Sequence, residues 1–134
     1  MGSGLTTTRA LLVDTNVFID FLRGYPEAIT LVNARSSQII VSSIVVAELY
    51  AGVKGEREEN ILRDFVSLFR VVDVDAEIAR MAGLYKRDYG KSHGIGLADA
   101  ILAATAGVEN AVLITLNTKH YPMLKNLEPP YKKQ

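Results

Sequence analysis

The stretch Leu11-Leu12-Val13-Asp14-Thr15-Asn16-Val17-Phe18-Ile19-Asp20 sets the expectation for the fold. An apolar run ends on a carboxylate, and a helical pattern starts directly after it. Leu11 to Val13 reads as a short strand buried on both faces. Thr15 and Asn16 are helix-capping types, with Val17, Phe18 and Phe21 as an apolar stripe behind them. Asp14 then stands at the carboxyl end of the strand, the edge where open α/β sheets bind ligands. Asp20 lies more than a turn further on and reads as a surface or ion-paired group.

Working outward, apolar strand-like runs alternate with helical patterns. Gln38 to Val41, Arg70 to Val74 and Ala111 to Ile114 read as further strands. Helices are expected from Pro26 at N1 through Ala34, over Ile44 to Gly52, over Glu56 to Leu68 and from Asp75 as N-cap to about Tyr89. Gly90 to Gly96 reads as a flexible loop, and Leu97 to Ala106 as a small, Ala-rich buried helix. His120 to Leu124 suggests a short helix. Glu128 to Tyr131 holds two prolines and is at most an edge strand. This alternation predicts a parallel sheet with helices on both faces.

Composition narrows the function classes. The 134 residues suffice for one domain and one sizeable core, expected over 5–134, with Met1-Gly2-Ser3-Gly4 read as a cloning remnant. There is no cysteine, which excludes disulfide staples, thiolate zinc sites and cysteine nucleophiles and is compatible with a reducing, cytoplasmic setting. No apolar run is long enough for a membrane span, and no signal peptide is expected. Lys plus Arg number 15 and Asp plus Glu number 15, so a large phosphate-tracking surface is not expected. A small catalytic footprint remains open.

Three acids interrupt apolar contexts. Asp14 ends a strand, Glu48 lies within Ile44-Val45-Val46-Ala47-Glu48-Leu49-Tyr50-Ala51-Gly52, and Asp99 lies between Ala98 and Ala100. An unpaired buried carboxylate is costly and is usually neutralised, paired or given a metal. With no basic partner close in sequence, the three suggest a shared cation. All-oxygen ligation suits Mg²⁺ or Mn²⁺. Each acid also has a local reading. Asp14 can cap a helix beginning at Asn16, Asp99 one beginning at Ala100, and Glu48 can pair with Lys54 or Arg35.

The segments D-T-N-V-F-I-D, V-V-A-E-L-Y-A-G, L-A-D-A-I-L-A-A-T-A and L-I-T-L-N-T-K-H-Y, taken in order, resemble a PIN-domain ribonuclease. In particular they resemble the VapC toxins of prokaryotic toxin–antitoxin pairs. The resemblance runs from about Leu11 to Tyr121. It implies a PIN-like three-layer α/β/α sandwich around a central, mostly parallel sheet of four or five strands. It implies that Asp14, Glu48 and Asp99 hold a divalent metal, Mg²⁺ or alternatively Mn²⁺. It places Thr15 and Asn16 beside the first acid, positioning water or the scissile phosphate. Asn117 stands where many PIN domains carry a fourth acid. It joins the expected catalytic set, but a neutral carbonyl there would hold a second metal less well.

The implied chemistry is hydrolysis of an RNA phosphodiester by a metal-activated water, leaving 5′-phosphate and 3′-hydroxyl ends, with no histidine or lysine needed as base. His93 is expected to be exposed, and His120 matches the tail pattern. Lys86, Arg87, Lys91 and Lys119 are candidate phosphate contacts. The resemblance further implies a VapB-like antitoxin, whose C-terminal segment lies in a groove near the acids. The first two helices and the helix from Glu56 to Leu68 are expected to line it. A homodimer is also implied, with Tyr50, Val53, Tyr85 and Tyr89 as candidate contacts. DNA binding is expected to belong to the antitoxin. Three alternatives stay open: a PIN fold that binds RNA without cleaving it, a receiver-like phosphoacceptor, and a dehalogenase-type phosphatase. The last needs Asp-x-Asp where Asp14-Thr15-Asn16 stands, and the receiver needs adjacent acids after the first strand.

Overall fold

A computed structural model of the chain describes residues 7–133; the expected remnant, 1–4, and the outermost residues of the expected domain lie outside them. Strands β1 (Leu11–Val13), β2 (Ile39–Ser42), β3 (Arg70–Val72) and β4 (Val112–Ile114) form one sheet in the order β3-β2-β1-β4. Every pairing is parallel: Leu12 faces Ile40 on one side and Leu113 on the other. β1 and β2 are buried along their whole length, as continuous apolar runs in a covered parallel sheet should be. Arg70 and Val71 of edge strand β3 are exposed.

Two helices follow each of the first three strands. α1 (Thr15–Leu22) and α2 (Pro26–Arg35) join β1 to β2, α3 (Ser43–Ala51) and α4 (Gly55–Val66) join β2 to β3, and α5 (Ala76–His93) and α6 (Leu97–Glu109) join β3 to β4. The first two crossovers step one way along the sheet and the third steps back past β1. Because such crossovers are right-handed, the reversal puts α5 and α6 on the face opposite α1 to α4. The three-layer sandwich follows. The reversal also makes the gap between β1 and β4 the switch point of the sheet, where ligands of open α/β folds bind.

Local chemistry accounts for most element ends. Asp14, Ser42 and Asp75 cap α1, α3 and α5 with their side chains, and Pro26 sits at N1 of α2. α5 stops where Gly94 takes a φ of +64°, a conformation that favours glycine. α1 is pinned to α4 and the following turn by aromatic contacts. Phe18, fully buried, meets Phe65 edge-on at 5.5 Å and Phe69 at 5.8 Å, and Phe21 stacks on Phe65 at 5.1 Å.

Several expectations are corrected. α5 continues to His93, so the expected loop from Gly90 shrinks to 94–96; Gly90 and Ser92 are tolerated inside a helix docked along α6. Glu128 to Tyr131 forms no strand, leaving four strands among the described residues. Asp20 is not a surface group. Its side chain is 7 % exposed and takes 2.8 Å bonds from Lys133 Nζ and Tyr131 Oη. The ion-pair half of that expectation holds, with a partner at the other end of the chain. No helix among the described residues is long and apolar enough to cross a membrane.

Truncating Phe18 removes the ring on which both contacts to the α4 end converge. Phe18→Ala should cost about 3–5 kcal/mol in urea unfolding; a loss below about 1 kcal/mol would place the core elsewhere.

Candidate active site

The first acid is fixed by both arms of the switch point. Asp14 leaves β1 and becomes the N-cap of α1, accepting from Thr15 N at 2.7 Å through Oδ1. Its other oxygen accepts from the Thr115 hydroxyl, just past β4, at 2.7 Å. Thr115 is itself fully buried and accepts from Asn117 N at 3.1 Å. Thr15, in the first turn of α1, donates its hydroxyl to Glu48 Oε1 at 2.5 Å, tying α1 to α3.

Asp99 lies in the first turn of α6 and so arrives from the opposite layer. Tyr121 Oη donates to Asp99 Oδ1 at 3.1 Å, and His120 Nδ1 lies 3.1 Å from Asp99 Oδ2. The Tyr121 ring is buried against the core.

The acids act on one another electrostatically. Burial pushes the Asp14 carboxyl above its ordinary range; the bonds from Thr115 and Thr15 pull against that, and the charges of Asp99 and Glu48 add to it. The Tyr121 phenol is pushed far up by burial and then by Asp14, Asp99 and Glu48, so it stays a protonated donor. Among the described residues no Lys or Arg forms an ion pair with any of the three acids.

The expected residues therefore gather unevenly. Asp14, Thr15 and Glu48 form one hydrogen-bonded group, and Asp99 is coupled to Asp14 through charge. Glu48 corrects an expectation, because it is exposed: Ala47, Glu48 and Tyr50 form the outer face of α3, which is apolar in composition but not buried all round. The local pairing with Lys54 or Arg35 is replaced by Thr15. Asp99 is not a cap either, since α6 begins at Leu97 behind Gly96. The Asn117 residue is exposed, and its backbone, not its side chain, bonds to Thr115. Asn16 Oδ1 is buried with no hydrogen-bond partner.

The donor set fits a hard divalent cation in its chemistry. It offers carboxylate oxygens that no Lys or Arg among the described residues pairs with, and an orphaned amide oxygen stands in the same turn as Asp14. Among the described residues no three acidic or histidine side chains form a ready-made cage. Mg²⁺ keeps several waters and needs only one or two direct carboxylates, so the absence of a cage is compatible with it.

Sequence reasoning missed Thr115 and Tyr121. Both lie in the quoted L-I-T-L-N-T-K-H-Y segment, two residues before and four after Asn117. The signal that was available is a hydroxyl directly after a buried strand. Of the candidate phosphate contacts, Lys86 donates to Ile95 O and Arg87 pairs with Asp88, while Lys91 and Lys119 are exposed. His93 is exposed, as expected.

Beside Glu48 opens a groove of about 450 Å³ between α1, α3 and α4, lined among others by Ile19, Leu22, Val53 and Ile61. α2, one of the helices expected at an antitoxin groove, contributes no residue to this lining. It lies beyond α1, against which it packs. Val53, a candidate dimer contact, also lines this groove.

The sequence pattern of the PIN domain matches residues 11–123, from β1 through the segment that carries Tyr121. The chain belongs to the PIN-domain family. It is 41 % identical over 124 residues to ribonuclease VapC19 of Mycobacterium tuberculosis, covering 90 % of this chain and 98 % of that one. Among solved structures it resembles a chain of a toxin–antitoxin complex from Klebsiella pneumoniae, with a TM-score of 0.80 and 30 % identity over 92 % of this chain and all of that one. It also resembles VapBC2 of Rickettsia felis, solved bound to a DNA fragment from its promoter, with a TM-score of 0.72 and 27 % identity over 88 % and 95 % of the two chains. The receiver and dehalogenase alternatives fall away with this membership.

Because burial and two neighbouring charges disfavour ionised Asp14 in the folded chain, its folded pKa lies above the unfolded one. The resulting penalty is present at neutral pH and relieved as pH falls through the folded pKa. Asp14→Asn keeps a capping side chain and removes the charge. In EDTA at pH 7 it should raise the thermal unfolding midpoint by a few degrees, with the gain shrinking on acidification. A lowered midpoint at pH 7 would show that Asp14 is not under electrostatic strain.

Proposed function

We propose that this chain is an endoribonuclease toxin of a type II toxin–antitoxin pair, hydrolysing RNA phosphodiester bonds with Mg²⁺ (alternatively Mn²⁺) held by Asp14, Glu48 and Asp99. The observation that carries it is the meeting of Asp14, from a strand end, with acids from α3 and α6 at the switch point, their charge uncompensated by any Lys or Arg among the described residues. The naming of a curated relative as a ribonuclease supports the reaction class.

When bound, a divalent ion lowers the pKa of a water and offsets charge building on the phosphate. The chain's own part is positioning. Thr115 and Thr15 N fix both oxygens of Asp14, Thr15 fixes Glu48, and Tyr121 with His120 fixes Asp99. Asn16 adds an amide oxygen in the turn after Asp14, and Asn117 ties the tail segment to Thr115. Exposed Lys91 and Lys119 are the side chains assigned to RNA phosphates, which position substrate without reading sequence.

The groove between α1, α3 and α4 is assigned to a VapB-like antitoxin segment. It has apolar walls, its rim includes exposed Leu22 and Ile61, and Glu48 connects it to the acids. The toxin–antitoxin neighbour from Klebsiella pneumoniae supports such a partner. Homodimerisation through Tyr50, Val53, Tyr85 and Tyr89 belongs to the same reading. DNA contact is assigned to the antitoxin, in keeping with a chain of zero formal net charge.

In an RNA cleavage assay the chain should cut with Mg²⁺ and stop in EDTA. Asp14→Asn or Asp99→Asn should lower the rate by on the order of 10²–10³-fold, the scale of several kcal/mol of lost transition-state stabilisation. Full activity in either variant or in EDTA would overturn the metal assignment. RNA binding without cleavage by the unaltered chain would favour a PIN fold kept for binding.

A further inference from the structure

We propose that Tyr121, Thr15 and Thr115 form a set of hydroxyl clamps, one per acid, that aim the three carboxylates at a divalent cation while leaving their charge intact; Tyr121 is the positioning residue for Asp99. The inference rests on the cation reading above and adds to it the residues that make the site bind.

Each acid has its own hydroxyl donor. Thr115 donates to Asp14 Oδ2 at 2.7 Å, Thr15 to Glu48 Oε1 at 2.5 Å and Tyr121 to Asp99 Oδ1 at 3.1 Å. The donors come from three places in the fold: just past β4, the first turn of α1 and the segment after the 3-10 turn Thr118–His120. One O–H fills one lone pair of one oxygen. Asp14 Oδ1 also accepts from Thr15 N at 2.7 Å, and Asp99 Oδ2 lies 3.1 Å from His120 Nδ1; a carboxylate has about four lone-pair sites, so each acid still keeps some for a metal. A neutral donor also leaves the full negative charge, whereas a lysine or arginine would cancel it.

The protein contains its own contrast. Asp20 is a comparably buried carboxylate on the same helix that Asp14 caps, and it too takes a tyrosine hydroxyl, from Tyr131 at 2.8 Å. Asp20, however, also takes Lys133 Nζ at 2.8 Å, so its charge is settled within the chain. The three site acids receive hydroxyls and no Lys or Arg among the described residues, and the one ring nitrogen among their partners is His120 Nδ1, 3.1 Å from Asp99 Oδ2. A carboxylate that only holds the fold is neutralised here; those at the switch point are oriented and left charged. Partners of this kind typically set metal affinity as well as ligand orientation.

Calorimetric titration of the full chain with Mn²⁺ at fixed pH and ionic strength tests this, alongside thermal unfolding in EDTA. Tyr121→Phe keeps the buried ring and removes only the hydroxyl. It should weaken Mn²⁺ binding about 10-fold or more, as should Thr15→Val, while Thr15→Ser, which keeps the hydroxyl, should stay within about twofold of the unaltered chain. RNA cleavage by Tyr121→Phe should recover with excess Mn²⁺ at an unchanged RNA KM. Thr15 is only half-buried, so Thr15→Val and Thr15→Ser carry the test if Tyr121→Phe does not fold. If the unaltered chain binds Mn²⁺ and these hydroxyl-free variants bind it equally well, with only their unfolding midpoints lowered, the clamps are structural and the inference is wrong. If the unaltered chain binds no Mn²⁺, the cation reading fails first and takes the inference with it.

Discussion

A carboxylate placed at the carboxyl end of a central, fully buried strand must be accounted for electrically, and the fold is arranged around how Asp14 is. Its two oxygens are spoken for by an amide of α1 and a hydroxyl past β4, so the charge is solvated by dipoles and not by a cation. Those bonds also fix the geometry of the switch point. The cap sets where α1 starts, and the Thr115 bond holds the chain leaving β4 against β1. Truncating the side chain would loosen both joints, while its charge maintains an electrostatic strain on the folded state. Binding sites commonly hold such strain.

The other acids inherit their positions from the layers. α3 sits beside α1, so Glu48 reaches Thr15. α6 returns on the opposite face, so the first turn of that helix brings Asp99 to the same edge from the other side. The convergence is a consequence of one reversal in strand order. Asp20 shows the alternative fate of a buried acid in the same molecule, paired to Lys133 and held by a tyrosine, where the tail closes over α1. The groove beside Glu48 adds a consequence. A segment seated there would touch the same helices that carry Asp14 and Glu48, so occupying it and altering the acids are mechanically linked.

What was legible in the sequence was what local chemistry controls. A buried strand ending on Asp14, the caps at Ser42 and Asp75, and Pro26 at N1 all act within a few residues of themselves. What was hidden depends on distant contacts. Glu48 read as buried because its helix is apolar in composition, and only tertiary packing shows that one face of α3 is left outside. Asp20 read as a surface or ion-paired group because its partners, Tyr131 and Lys133, stand at the other end of the chain. Tyr121 read as part of a motif tail and not as the donor to Asp99, because the hydrogen bond forms only once α6 and the tail meet.

The central claim is that the acids at the switch point share one divalent ion. Crystals soaked in Mn²⁺ and measured at a wavelength where manganese scatters anomalously would test it most directly. The account predicts one strong anomalous peak between the Asp14 and Asp99 carboxylates, on the side that Glu48 faces. A peak confined to other acids, or none at a Mn²⁺ concentration that supports RNA cleavage, would contradict it.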